Sequence, residues 1–127
     1  MELGESLEDY LEAILVLSGQ LKQVRSVDVA SYLGYSKPSV SHAVKLLEKQ
    51  NLITLGESKA LELSPEGQRI AQEIYHRHVF FTDMLQNIGV KQEVAEQDAC
   101  RIEHVLSQET FDAIERFYKE AEEAEGH

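Results

Sequence analysis

Apolar positions fall three and four residues apart over most of this chain, and the one stretch that breaks the rule is short. Leu7, Leu11, Ile14 and Leu15, with Ser18, mark one face of a first helix. It is expected to open at Ser6 as N-cap, with Asp9 completing a capping box, and to stop at Gly19. Val29, Ala30 and Leu33 mark a short second helix, capped by Ser26 and closed by Gly34 in the left-handed conformation. In the third, Lys37 is placed at the cap and Pro38 in the first turn, where its missing N–H costs nothing. Val40, Ala43, Val44 and Leu47 face inward, and the helix runs to about Gln50. The period then changes. Residues 52–55 and 60–63 read as two strands around a polar turn at 56–59. Ser64-Pro65 opens a long fourth helix whose inward register is Ile70, Ile74, His78, Phe81 and Leu85, ending near Gly89. Two more helices are expected over 92–106 and 107–121, the second capped by Ser107, with a fraying acidic tail at 120–125.

Two short helices joined at a glycine turn form a helix-turn-helix, and a hairpin directly after it is a wing. The expected fold is therefore mainly α: a winged helix-turn-helix with a small β-hairpin wing over 1–64, then a helical dimerisation half over 65–127. Ile102, Val105, Leu106, Phe111, Ile114, Phe117 and Tyr118 are more apolar surface than a short helical half readily buries alone, which points to a homodimer. The longest apolar run, at 13–17, is far below the roughly 20 residues of a membrane span. The acidic amino terminus has no basic n-region of a signal peptide, and a single cysteine, Cys100, suits a reducing compartment. These features point to the cytoplasm.

A net charge of −11 argues at first against a nucleic-acid partner. Its distribution reverses that. Between Gly19 and Lys59 six basic residues (Lys22, Arg25, Lys37, Lys45, Lys49, Lys59) face three acids (Asp28, Glu48, Glu57), leaving +3 there and −14 elsewhere. Such asymmetry marks a stretch that meets a polyanion. On the third helix, Ser36, Ser39, Ser41 and His42 cluster at the amino-terminal end, the end that recognition helices turn to base edges. Lys37, Lys45, Lys49 and wing Lys59 are the phosphate anchors. Double-stranded DNA is the expected partner.

Cys100, Glu103 and His104 stand at i, i+3 and i+4, so on one helix they would share a face with thiolate, carboxylate and imidazole donors. Asp9 and Glu12 are a carboxylate pair at i, i+3 on the first helix. His78 lies on the inward register of the fourth, where a metal site between packed helices needs it. Each has a plainer alternative: a small core cysteine, a surface Glu-His pair, a capping Asp9, a hydrogen-bonded core histidine.

At these residues the chain resembles the diphtheria-toxin-repressor family of metal-dependent transcriptional regulators, in a short form without an SH3-like domain. The similarity runs nearly end to end. It is carried by residues 8–12, the reader segment 36–42, the segment 63–67, the Arg77-His78 pair and, most specifically, residues 98–107. The resemblance implies a homodimeric repressor that binds a palindromic operator when loaded with Mn²⁺ or Fe²⁺ and controls metal uptake. By position it implies Asp9, Glu12, His78, Cys100, Glu103 and His104 as metal ligands, and Ser36, Pro38 and His42 near the bases. The manganese branch has a carboxylate at Cys100, the iron branch a methionine at Asp9, and relatives often have a glutamate near Thr82. The expected arrangement is a primary site of Cys100, Glu103 and His104 completed by Asp9, with Glu12 and His78 in an ancillary site. The thiolate moves preference toward Fe²⁺, Co²⁺ and Zn²⁺, and Zn²⁺, Co²⁺ or Ni²⁺ would bind in vitro. The alternative is a winged-helix regulator sensing an oxidant or a small organic ligand, with Cys100 as a redox switch. An enzyme is not expected: the histidines lack a His-Glu-x-x-His spacing, and there is no glycine-rich phosphate loop.

Overall fold

The computed structural model describes residues 5–125; the side chains of Glu5 and Ser6 lie outside the described set, and with them the expected Ser6 cap. In chain order the elements are α1 (Glu5–Ser18), α2 (Ser26–Leu33), α3 (Lys37–Lys49), β1 (Ile53–Leu55), β2 (Leu61–Leu63), α4 (Pro65–Asn87), α5 (Gln92–Ile102) and α6 (Gln108–Glu125). A single 3₁₀ turn, Glu57–Lys59, sits at the tip of the hairpin. No helix among the described residues is long and apolar enough to cross a membrane. Packing divides the chain into two compact units, Met1–Tyr75 and His76–His127, with α4 running through the division.

The first unit is built around Leu11 and Ile14 of α1, Val29 of α2, Val40 and Leu47 of α3, Ile53 of β1, Leu61 of β2 and Ala71 of α4, all buried. Removing a leucine, isoleucine or valine side chain of this set from water is worth about 1.5–3 kcal/mol. The inward set expected for α3 is buried in full. On α1 the buried face is wider than the expected stripe, taking in Tyr10, Ala13 and Leu17, while Ser18 stays exposed and donates its hydroxyl to the Ile14 carbonyl at 2.7 Å.

Two expected caps move by one residue. At α2 the N-cap is Arg25, not Ser26: its backbone N–H donates to the Asp28 carboxylate at 2.9 Å, so an acid three residues on holds the start of the helix from the N3 side of a capping box. At α3 the cap is Ser36, not Lys37. The Ser36 hydroxyl accepts from the Ser39 backbone N–H, which no lysine side chain can do. Gly34 takes the expected left-handed turn at φ 72°.

The wing is antiparallel, with Ile53 opposite Leu63 and Leu55 opposite Leu61. Two bonds tie it back to the α1–α2 loop. The Leu61 N–H donates to the Val24 carbonyl at 2.6 Å, and Arg25 Nε donates to the Ser58 carbonyl at 3.1 Å. Ser58 and Lys59 hold left-handed φ values of 56° and 62° at the tip.

The second unit packs α5 and α6 against the carboxy-terminal part of α4 around Phe81, Ala99 and Phe111, with Phe80, Met84, Ile102, Leu106 and Ile114 at the margin. Phe80, Phe81 and Phe111 meet edge-on at 5.3–5.7 Å between ring centres, the arrangement their quadrupoles favour. Phe111 is therefore a core residue and not part of an exposed dimer surface; Val105 and Phe117 are the exposed members of the expected set, at 72% and 75%. α5 stops at Ile102, four residues short of expectation, and α6 continues to Glu125 instead of fraying from residue 120. Ser107 caps α6 as expected, accepting from the Thr110 N–H at 3.1 Å.

Candidate metal centre

The early end of α5 reshapes the expected ligand face. Cys100 remains on the helix, but Glu103 is its C-cap and His104 lies in the turn beyond. The last α-type bond runs from the Glu103 N–H to Ala99 at 3.0 Å; His104 and Val105 fall back to three-residue bonds at 3.4 and 3.1 Å. The tightened turn carries the Glu103 side chain inward until it is the one buried charged residue among those described, 1% exposed.

There the Glu103 carboxylate lies between two imidazoles. Oε2 is 3.1 Å from His78 Nδ1, and Oε1 is 3.3 Å from His104 Nε2. Neither carboxylate oxygen makes a well-formed hydrogen bond. Burial pushes the Glu103 carboxyl up, but His104 and His78 outweigh it and hold it below its ordinary value. The group is a buried anion at neutral pH. The His104 side chain is nearly as enclosed as Glu103, His78 is partly open, and Cys100 is exposed.

One ligand atom each from His78, Cys100 and Glu103 lie within 4.8 Å of one another. Donors about 2.0–2.3 Å from one ion can be no more than about 4.6 Å apart, so this spacing fits a shared dication after minor adjustment. The chemistry fits as well: a buried carboxylate without good hydrogen-bond partners is costly unless a cation compensates it. Of the expected ligands, then, the structure brings His78, Cys100, Glu103 and His104 together, and it is His78 that joins Cys100, with Glu103 facing both imidazoles. Asp9 and Glu12 are half-buried, one turn apart on α1.

Two residues here were not singled out as functional from sequence. Thr82, one turn after His78 on α4, has a buried hydroxyl oxygen with no hydrogen-bond partner. Arg77 donates from Nη1 to the carbonyls of Glu103 and Leu106 at 3.2 and 2.7 Å, and from Nη2 to Gln108 Oε1 at 3.0 Å. The Arg77-His78 dipeptide was visible in the sequence; the role of the arginine was not, because its partners are backbone atoms 26 and 29 residues away.

In the first unit, Ser36, Lys37, Pro38, Ser39, Ser41, His42, Lys45, Lys49 and Lys59 are all exposed. Lys37, Ser41 and Lys45 of α3 and Lys59 of the wing line one open groove of about 470 Å³, so three of the four expected phosphate anchors face a common space.

Comparison with known proteins agrees with this division of labour. Residues 2–61 match the family model for the iron-dependent repressor N-terminal DNA-binding domain, and residues 64–126 that for the iron-dependent repressor metal-binding and dimerisation domain. The chain is 38% identical over 113 residues to the transcriptional regulator MntR of Salmonella typhimurium, covering 89% of this chain and 72% of that one. It is 34% identical over 109 residues to the HTH-type transcriptional regulator MntR of Geobacillus kaustophilus, covering 86% and 77%. The structure of the manganese regulator SloR superposes with a TM-score of 0.80 at 25% identity, over 89% of this chain but 53% of that one, so this chain spans about half the length of that structural relative. With both domain models matched in order along nearly all of its length, this chain belongs to the iron-dependent repressor family of metal-dependent transcriptional regulators.

Proposed function

We propose that this chain is a cytoplasmic, metal-activated transcriptional repressor that binds a palindromic operator as a homodimer and controls the uptake of the metal it senses. It acts by binding, not by catalysis. The buried Glu103 carboxylate between His78 and His104, with Cys100 alongside, carries the reading: this donor set gains most from a divalent cation. Carboxylate and imidazole donors suit Mn²⁺ and Fe²⁺; the thiolate shifts preference toward Fe²⁺, and Co²⁺, Ni²⁺ or Zn²⁺ bind in vitro. Asp9 and Glu12 complete the ligand set, as the family resemblance implies.

A bound dication supplies the positive charge that lets these carboxylates share one site. The chain's own residues do the rest. Glu103 and His104 present fixed donors from the α5–α6 turn, and Asp9 and Glu12 present theirs from α1. In the DNA-reading part, residues 1–64, Ser36, Pro38, Ser39, Ser41 and His42 meet base edges, while Lys37, Lys45, Lys49 and Lys59 hold phosphates. In a dimer the two α3 helices must stand about 34 Å apart to enter successive major grooves, and the metal-loaded form is the one that holds that spacing.

An operator shift assay with Mn²⁺, Fe²⁺, Zn²⁺ or a chelator tests this. Binding should require metal and vanish with the chelator. His104→Ala should abolish metal-dependent binding in a folded protein, and Lys45→Ala should keep metal binding but weaken DNA binding. The exposed Cys100 thiol favours one second reading, an oxidant sensor. It predicts shifts that follow thiol oxidation and ignore the chelator.

A further inference from the structure

Glu103 and His104 stand where a helix has ended, and the carbonyls of a last helical turn lack intrahelical partners. Beyond the Glu103 N–H bond to Ala99, the path toward Ser107 leaves the α-helical ladder and carries one long and one ordinary three-residue bond. Yet the ligand geometry depends on that path, because a small rotation of the turn would carry the Glu103 carboxylate out of the gap between His78 and His104.

One side chain closes it. A single nitrogen of Arg77, Nη1, donates to both the Glu103 carbonyl and the Leu106 carbonyl, pinning the start and the end of the turn to one point. The second terminal nitrogen, Nη2, reaches Gln108 at the start of α6. The guanidinium is itself fixed over the Phe111 ring, 5.2 Å from its centre, and Phe111 is a core residue. Arg77 also directly precedes His78 on α4, so the backbone that aims the His78 ring at Glu103 Oε2 also roots the clamp that holds the Glu103 backbone.

We propose that Arg77 is a positioning residue for the metal centre: its guanidinium clamps the α5–α6 turn so that Glu103 and His104 are held in register with His78 before any ion binds. This rests on the metal-binding reading above. Outer partners that orient ligands typically change metal affinity 10- to 100-fold when removed. A lysine keeps the charge but cannot serve three acceptors with a planar fork, so it should restore only part of the effect.

The test uses the full chain and Co²⁺ as the probe, titrated at 25 °C by its thiolate charge-transfer and d–d absorption, with far-ultraviolet dichroism and thermal unfolding of each metal-free protein alongside. The native chain should give saturable bands that Glu103→Gln removes; if it gives none, the metal reading fails and not merely the clamp. Arg77→Met should retain its helical content at 25 °C, bind Co²⁺ at least tenfold more weakly and show altered d–d bands, with Arg77→Lys in between. If Arg77→Met does not fold, Arg77→Lys decides: a loss of threefold or more at native helical content supports the clamp. A fold-stabilising arginine alone would lower the metal-free midpoint and leave the Co²⁺ affinity and spectrum of the folded variants at native values, and that result overturns the proposal.

Discussion

Glu103 is held below its ordinary carboxyl value of 4.5 despite its burial, because two imidazoles face it. A depressed carboxyl stabilises the folded state above its unfolded pKa and loses that contribution as pH falls through the folded one. In metal-free protein, the stability difference between the native chain and Glu103→Gln should therefore shift in the variant's favour as pH drops below about 4.5, measured by urea unfolding at several pH values. A flat difference would remove the proposed coupling to His78 and His104. Gly67 makes a separate point. A Cβ there would lie 2.0 Å from the Leu52 carbonyl oxygen, which itself accepts the Ser64 N–H. Alanine ordinarily gains about 1 kcal/mol over glycine inside a helix. Here overpacking against backbone should reverse the sign, so that Gly67→Ala costs about 1–3 kcal/mol in thermal unfolding. Glycine in a Ser-Pro-Glu-Gly segment was visible in the sequence, but the oxygen that demands it comes from 15 residues upstream.

Helix periods carried most of the element assignments, and the departures share a cause. Periodicity reports which face is buried over several turns, so α3 and its inward Val40, Ala43, Val44 and Leu47 were legible in full. Caps and ends depend on single bonds. Asp28 reaching the Arg25 N–H moved one cap, the Ser36 hydroxyl moved another, and the clamp on the Glu103 and Leu106 carbonyls accompanies the early end of α5. That last departure matters most, since it replaces the expected one-face triad on a helix with a turn in which Glu103 is buried between His78 and His104. The chemistry of the site was legible in residue types and spacing; its grouping depended on a helix end. Ser36→Ala tests the cap assignment: loss of the hydroxyl acceptor should cost about 0.5–2 kcal/mol of stability. On the same helix, Lys45→Ala should weaken operator and non-operator DNA alike and lower the slope of affinity against salt by about one unit, the signature of a phosphate contact. A loss confined to one operator sequence would instead make Lys45 a base reader.

Across the whole molecule, charge and exposure are distributed by task. The segment from Gly19 to Lys59 carries +3 in a chain of −11, and Lys37, Lys45 and Lys59 of that segment share one groove, whereas the buried donors lie in the second unit. Ile88, Val94, Val105 and Phe117 are 44–75% exposed, apolar surface that a second copy of the chain would cover. The proposed activation is a coupling between two ligands of one protein, and such coupling is reciprocal: whatever factor metal adds to operator affinity, operator must add to metal affinity. The most direct measurement is a Mn²⁺ or Co²⁺ titration of the full chain, alone and saturated with operator duplex, at one pH and salt concentration. Metal should bind at least about tenfold more tightly with operator present, a coupling of about 1.4 kcal/mol. Equal metal affinities in the two titrations would contradict metal activation of DNA binding, even if both ligands bind well.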